Sequence, residues 1–328
     1  MKPSIRTLGV VLGLLAGGLV AGLASAQQET RDFPTRPIRW IVPFPPGGSN
    51  DVLARYLGTK LTDKVGQQIV IDNRGGANGI IGAELAANAP PDGYTMLMVS
   101  TSWVMNAAIR DLPYDVEKSY DPITTIGTSP NSIVVNPSGP YRVLRDLVEA
   151  AKAKPGAISY AHTGVGGFNH FGGELFKKVA GIDMVPIAYK GGGPAMIDVV
   201  ASNVPVMFSS VTQTLVHVRA GRLKLLAVGA SKRNSAVPEV PTVAEAGYPG
   251  YEVAVWWGVV VPRGTPHPVA EKLRREFTAV LQDPETLKRL AADAAEPQLL
   301  SPPEFRKMVG DEVRTWRGVA QTAGIRVQ

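Results

Sequence analysis

The chain contains no cysteine. Disulfides, zinc–thiolate centres and thiol nucleophiles are therefore excluded, and stability in an oxidising compartment must come from the core. Long apolar runs are nearly as scarce. Only Leu8 to Leu23 is apolar and free of charge, and it is short against the roughly 20 residues of a bilayer span. With Lys2 and Arg6 before it and Ala24-Ser25-Ala26 after it, the run reads as a secretory signal, residues 1–26, removed before function. The absence of cysteine excludes lipidation at that site, and Arg6 lacks the adjacent arginine of a twin-arginine signal. Cleavage leaves 328 − 26 = 302 residues, enough for two domains of ordinary size. Charge of one sign is not concentrated either. The net charge is +6, of which the signal carries two, leaving 6 − 2 = 4. There is no basic run and no aromatic ladder, which argues against a nucleic-acid partner.

The usual catalytic signatures are missing. No G-x-S-x-G elbow supports a serine hydrolase, and no P-loop lysine–serine pair is present. Gly164-Val165-Gly166 resembles half of a dinucleotide fingerprint, but Asn169 stands where its last glycine belongs. His170 and Glu174 fall at i, i+4 on one helix face, yet two ligands are too few for a metal and H-E-x-x-H does not occur. No metal, cofactor or catalytic residue is expected.

What the chain has in quantity is glycine (35) and proline (27), placed at the ends of short apolar runs. Ile38 to Val42 reads as a buried strand, Gly47-Gly48 as a tight turn, and Ser49-Asn50-Asp51 as the start of a helix to about Lys64. Gln68 to Asp72 follows as a strand, then a second glycine-rich turn at 73–79 and a helix from Ile80 to Ala89. Pro90-Pro91-Asp92-Gly93 turns the chain into the strand Tyr94 to Val99, and Ser100-Thr101-Ser102 opens the next helix. Strand–helix alternation of this kind predicts a parallel sheet covered on both faces. Residues 121–127 read as a crossing between domains. The alternation then restarts, with strands at 132–135, 158–161, 184–189, 204–208 and 223–228, a proline-rich return connection at 231–250, and a strand at 251–261. Helices close the chain at 268–282, 284–292 and 302–322. No close internal repeat is evident.

Four loops, 43–51, 100–102, 162–169 and 190–194, follow strands and precede helices. Free N–H groups at helix N-termini favour an anion, so one N-terminus from each lobe is expected to grip an acid in the cleft between two sheets. Several side chains near these loops have two readings. Asp51 either caps its own helix or orders water around a ligand. Lys190 either reaches an anionic ligand or is a solvated loop lysine. His162 either lines the pocket or packs the loop, and Trp103 is either a pocket wall or core. Trp256 and Trp257 alternate across their strand, so at most one faces the cleft.

Specific stretches carry a resemblance. They are Pro37-Ile38 with 41–51, Asp72 to Gly79, Pro91 to Thr95, Gly164 to His170, Tyr189 to Gly192, Pro241 to Gly247 and Pro262 to Pro266. In this order they resemble the Bug, or TctC-like, extracytoplasmic solute receptors of tripartite tricarboxylate transport systems. The resemblance implies an α/β, type II periplasmic-binding-protein fold with two Rossmann-like lobes and a ligand cleft between them. The lobes are expected at 27–123 plus 237–328 and at 124–236. It implies a monomeric periplasmic receptor without catalysis, which captures a small carboxylate and delivers it to membrane permease subunits of a tripartite transporter. The carboxylate would be a di- or tricarboxylate, an acidic amino acid or an aromatic acid. Alternatives from other classes are a ligand sensor for a membrane signalling protein and an exported enzyme acting on an organic acid. Ligand-binding residues are expected at Phe44, Pro45, Gly47, Gly48, Ser49, Asp51, Ser102, Thr163, Gly164, Gly166, Asn169, His170, Lys190 and Gly191. The chain departs from the family pattern at Asp72 and Asn78, where glutamate and glycine are commoner, and at Phe171 and Gly172, where leucine and alanine are usual.

Overall fold

The computed structural model describes residues 32–323 and 325, so the expected signal at 1–26 lies outside the described residues. The chain runs β1 (Ile38–Val42), α1 (Ser49–Val65), β2 (Ile69–Asn73), a 3-10 turn (Ala77–Gly79), α2 (Ile80–Ala87), β3 (Thr95–Ser100), α3 (Thr101–Ile109) and β4 (Tyr120–Val135). It continues through α4 (Leu144–Ala153), β5 (Ser159–His162), α5 (Phe168–Ala180), β6 (Val185–Ala188), α6 (Gly192–Val200), β7 (Val206–Ser210), α7 (Val211–Arg219) and β8 (Lys224–Gly229). The last elements are β9 (Ala254–Pro262), α8 (His267–Leu281), α9 (Pro284–Ala292), β10 (Glu296–Pro297) and α10 (Pro302–Ala323).

These strands form two half-sheets joined by one long strand. In the first lobe the order is β2-β1-β3-β9-β4, and in the second it is β6-β5-β7-β4-β8. Each half-sheet has three parallel strands, followed by one that arrives from the other lobe and runs antiparallel. The lobes therefore share a topology although their sequences show no close repeat. β3 is buried at every position, as a strand covered on both faces must be. Trp40 of β1 packs edge-on against Phe277 of α8, with ring centroids 5.3 Å apart. In the second lobe Leu147 and Phe176 cover one face of the half-sheet, and Met196 and Leu215 cover the other.

The structure corrects one reading of the sequence here. Residues 121–127 are not a crossing; they belong to β4, which is continuous over 16 residues. Tyr120 to Pro130 pair with β9, whereas Asn131 to Val135 pair with β7 and β8. On this pairing we place the first passage between lobes at Pro130–Asn131. The return passage lies beside it, since Asn131 donates its N–H to the Val253 carbonyl and Val253 donates to Gly229. α7 and the short β10 are further elements that the sequence reading does not contain.

Two departures from the family pattern have a local explanation. Asn78 adopts a left-handed backbone (φ 56°), which glycine and asparagine tolerate best. A Cβ at position 172 would lie 2.9 Å from Asn131 Nδ2 and 3.2 Å from the Tyr251 hydroxyl, so an alanine there requires the buried Asn131 side chain to shift.

Candidate functional site

Five helices begin at the cleft, because in each lobe the carboxyl ends of the parallel strands face the other lobe. α1, α3, α5, α6 and α7 each contribute a first-turn or cap residue to one cavity of about 390 Å³, its open mouth included. The N-caps Gly48, Ser100, Gly167 and Gly191 supply no side-chain cap hydrogen bond, so the first-turn N–H groups behind them are left uncapped, except that of Phe168, which Ser102 takes. No charged side chain lines this cavity.

The first loops of the two lobes have matching geometry. Gly47 and Gly166 have φ of 86° and 79°, a conformation that disfavours a side chain. The N-caps after them, Gly48 and Gly167, have φ/ψ of −82°/166° and −86°/167°. The second helical residue is asparagine in both, Asn50 and Asn169, and both line the cavity. The tetrapeptides Gly47-Gly48-Ser49-Asn50 and Gly166-Gly167-Phe168-Asn169 are thus one motif used twice. This short Gly-Gly-X-Asn recurrence is the signal that could have marked Asn50.

The side chains around the cavity are arranged to donate. Ser102 Oγ accepts the Phe168 N–H at 3.0 Å across the lobes, which leaves its own hydroxyl proton free for an acceptor. Asn50 Nδ2 points to Ser100 Oγ at 3.4 Å, with the same consequence for Ser100. Ser209 donates to Gln213 Oε1 at 3.0 Å, which orients that amide and leaves its buried Nε2 without a protein partner. Asn169 Nδ2 is likewise buried and unpartnered. Donors without partners in a site free of carboxylates suit a ligand that only accepts, and an ionised carboxylate is such a ligand.

Of the expected residues, Phe44, Gly48, Ser49, Ser102, Thr163 and Asn169 line this cavity. Gly164 and Lys190 line a second, outer cavity that shares Phe44 and Thr163 with the first. Pro45, Gly47 and Gly191 sit where the lobes meet: a Cβ on Gly191 would come within 2.6 Å of Pro45 Cδ, and the Cβ position of Gly47 lies 3.8 Å from Gly193 Cα. Gly166 is wedged against Ile109 and Arg110 of the first lobe.

Asp51 faces away from the cavity. Its carboxylate accepts the Gly47 N–H at 3.0 Å, Arg55 Nε at 3.0 Å and Asn73 Nδ2 at 2.9 Å. Burial pushes its pKa up, but the hydrogen bonds from Arg55, Gly47 and Asn73 outweigh burial and hold it below the usual value. His170 is also behind the loop, with Nδ1 accepting the Gly166 N–H at 3.4 Å. His162 does the same for Gly164 at 3.2 Å, and the two imidazoles lie 4.7 Å apart. Glu174 does not join His170; it accepts from the Tyr160 hydroxyl at 2.7 Å and from Lys177. Both tryptophans of β9 are buried, and it is Val255 that reaches the cavity. Trp103 packs edge-on against Tyr120 in the core.

Sequence reasoning missed Asn50, Ser100, Phe168, Gly192, Gln213 and Val255 as lining residues. Gln213 was out of reach because α7 follows β7 directly at Ser210, with no glycine to mark the turn. Ser210 caps α7 itself, accepting the Gln213 N–H at 3.3 Å. The Ser209-Ser210 pair was the available sign of a helix start.

Among the described residues no helix is long and apolar enough to cross a membrane. Residues 53–325 match the family model described as tripartite tricarboxylate transporter family receptor. The protein BugT of Bordetella pertussis is 35% identical over 326 residues, covering 98% of this chain and 99% of that protein. The solved periplasmic binding protein BugD is 33% identical with a TM-score of 0.86, covering 90% of this chain and 100% of BugD. An R. palustris protein solved with adipate is 34% identical with a TM-score of 0.87, covering 90% of this chain and 99% of that one. The chain therefore belongs to the Bug/TctC family of periplasmic solute-binding receptors, a family of receptors and not of enzymes.

Proposed function

We propose that this receptor captures a small carboxylate between its lobes and delivers it to the membrane subunits of a tripartite tricarboxylate-type transporter. The observation that carries the reading is the inner cavity itself: helix N-termini and uncharged donors from both lobes converge on a space with no acidic side chain. Stripping a carboxylate of water without compensation is costly, and several preplaced donors offset that loss without a buried cation. The adipate bound by the R. palustris relative supports a carboxylate as the ligand. The receptor works as a monomer in the periplasm after removal of residues 1–26, one chain supplying both jaws. We assign ligand contact to Phe44, Gly48, Ser49, Asn50, Ser102, Thr163, Asn169 and Gln213 in the inner cavity.

Thermal denaturation of the mature protein against a panel of carboxylates tests this. A ligand at 100 times its Kd adds about 2.7 kcal/mol, which raises Tm by about 4 °C for a chain of this size. If no acid shifts Tm and none co-purifies, the reading fails. Recovery of the bound acid chemically altered would replace it with an enzyme.

A further inference from the structure

We infer that Gln213 is a specificity-determining residue, which selects ligands carrying a keto oxygen on the carbon next to the carboxylate, the 2-oxo acids. The inference rests on the carboxylate reading of the inner cavity. Donors around that cavity outnumber what one carboxylate can use. An ionised carboxylate offers about four acceptor sites, and each side-chain amide nitrogen carries two N–H donors. The amide nitrogens of Asn169 and Gln213 have no protein partner, and the two residues are only 5% and 8% exposed. The hydroxyl protons of Ser100 and Ser102 and the uncapped first turns of α1 and α6 come on top of them. Buried donors without an acceptor are costly, so the complement of this site is a ligand with a further acceptor beside its carboxylate. All of these groups line one small cavity, which places that acceptor on the adjacent carbon.

Gln213 is the donor that the two jaws do not account for. Asn169 belongs to the repeated Gly-Gly-X-Asn motif, whereas Gln213 reaches in from α7, outside it. Its amide is fixed on two sides. Ser209 donates to Oε1 at 3.0 Å, and the Ser209 carbonyl is itself held by Ser132 Oγ at 2.9 Å. On the other side stands Gly192 of α6, where a Cβ would lie 2.5 Å from both Nε2 and Oε1. The bare Cα of Gly192 leaves the amide its place. With Oε1 engaged, Nε2 is the atom offered to a ligand.

A keto oxygen only accepts, and so matches that offer. A 2-ammonium group only donates; it would meet the amide N–H groups with no carboxylate in the cavity to pair with it. A 2-hydroxyl brings a proton that must itself find an acceptor, and Gln213 Oε1, Ser100 Oγ and Ser102 Oγ already accept. A site built to hydrogen-bond a substituent discriminates against the analogue lacking it, because its buried polar groups are then left unpaired.

Calorimetric titration of the mature protein with 2-oxobutanoate, 2-hydroxybutanoate, 2-aminobutanoate and butanoate tests this, alongside 2-oxoglutarate, 2-hydroxyglutarate, glutamate and glutarate. In the series that binds, the oxo acid is expected to be tighter than the unsubstituted acid by about 10-fold or more, and tighter than the amino acid by about 100-fold or more. Gln213→Met keeps the length of the side chain without its donor, and is expected to lower the oxo-to-unsubstituted ratio by about fivefold or more. Gly192→Ala keeps Gln213 but displaces its amide, and moves the ratio the same way. Equal affinity for the oxo and unsubstituted acids, tighter binding of the hydroxy or amino acid, or an unchanged ratio in Gln213→Met overturns the inference and leaves the receptor reading in place. So does binding of neither series when another carboxylate raises Tm. If no carboxylate does, both readings fail.

Discussion

At the scale of single residues, the two matched glycine caps make opposite demands. Gly48 has an ordinary backbone conformation, and a Cβ there meets nothing closer than the Pro45 carbonyl at 4.0 Å. A side chain is tolerated by the fold and enters the cavity. We expect Gly48→Val to change unfolding free energy by less than about 1 kcal/mol and to abolish carboxylate binding. Unchanged affinity would remove the 44–49 loop from the site. Gly167 is different, because a Cβ there lies 2.6 Å from Asn78 Oδ1 of the opposite lobe. Asn78 cannot simply swing away, since Asn106 holds its side chain at 3.0 Å and its carbonyl at 3.0 Å. Gly167→Ala should leave the ligand-free protein at its normal Tm and weaken binding at least 10-fold by preventing closure. A variant that binds normally would show that the lobes do not approach here in the bound state. Asp51 belongs to the same scale. Its charge is spent on bracing Gly47, so Asp51→Asn should cost about 1–3 kcal/mol of stability in urea denaturation, with the effect on binding following from a slackened loop.

At the scale of elements, much of the architecture is legible because it is written in local signals. Three of the four expected loops are bracketed by glycine, and the helices at the C-terminal end fall within a residue or two of their expected bounds. What failed to show were elements whose logic is tertiary. β4 reads as a linker because Pro122, Gly127 and Pro130 interrupt it. Its register shifts twice, at 122/124 and 125/127, so Pro122 and Gly127 sit at bulges where a strand tolerates them, while Pro130 pairs in register with Ala254 at the end of the β9 ladder. Gly127 is demanded by the Glu296 carbonyl of β10, 2.6 Å from where its Cβ would be. That contact joins distant parts of the sequence, and no local pattern announces it. α7 escaped for the converse reason: nothing separates it from β7, so the strand pattern hides the helix start. The passage between lobes is likewise a long-range construction. Asn131, fully buried on β4, accepts the Tyr251 hydroxyl at 3.0 Å beside the return passage. Tyr251→Phe leaves that buried oxygen without its partner, and we expect a loss of about 1–2 kcal/mol in urea denaturation. A loss below about 0.5 kcal/mol would mean that the bond does not brace the hinge.

At the scale of the whole molecule, acid should uncouple the two lobes before it unfolds the carboxylate-dependent parts of the protein. His162 and His170 are buried against each other behind the 163–167 loop. Burial lowers the pKa of each to about 4, reinforced for His162 by His170 and for His170 by Lys177. The other groups facing them are Glu174 and Tyr160, already bonded to one another. Because the folded-state pKa lies below the unfolded value near 6.5, the unfolded chain binds these protons first. Their contribution is complete above pH 6.5, declines as pH falls towards 4, and is absent below that. The slope is at most about 1.4 kcal/mol per pH unit for each histidine. Asp51 and Asp72, whose pKa values are depressed, act in a separate window, losing their contribution only below the ordinary carboxylate pKa. The histidines also connect stability to binding. Each uses Nδ1 to accept a loop N–H, from Gly164 and from Gly166, and protonation turns that acceptor into a donor. The loop that shapes one jaw then loses two supports at once. We expect the urea midpoint and the carboxylate affinity to fall together between pH 6.5 and 4.5, and the double variant His162→Gln, His170→Gln to flatten both dependences. A urea midpoint that holds constant across this range in the natural sequence would show that these imidazoles do not resist protonation in the fold.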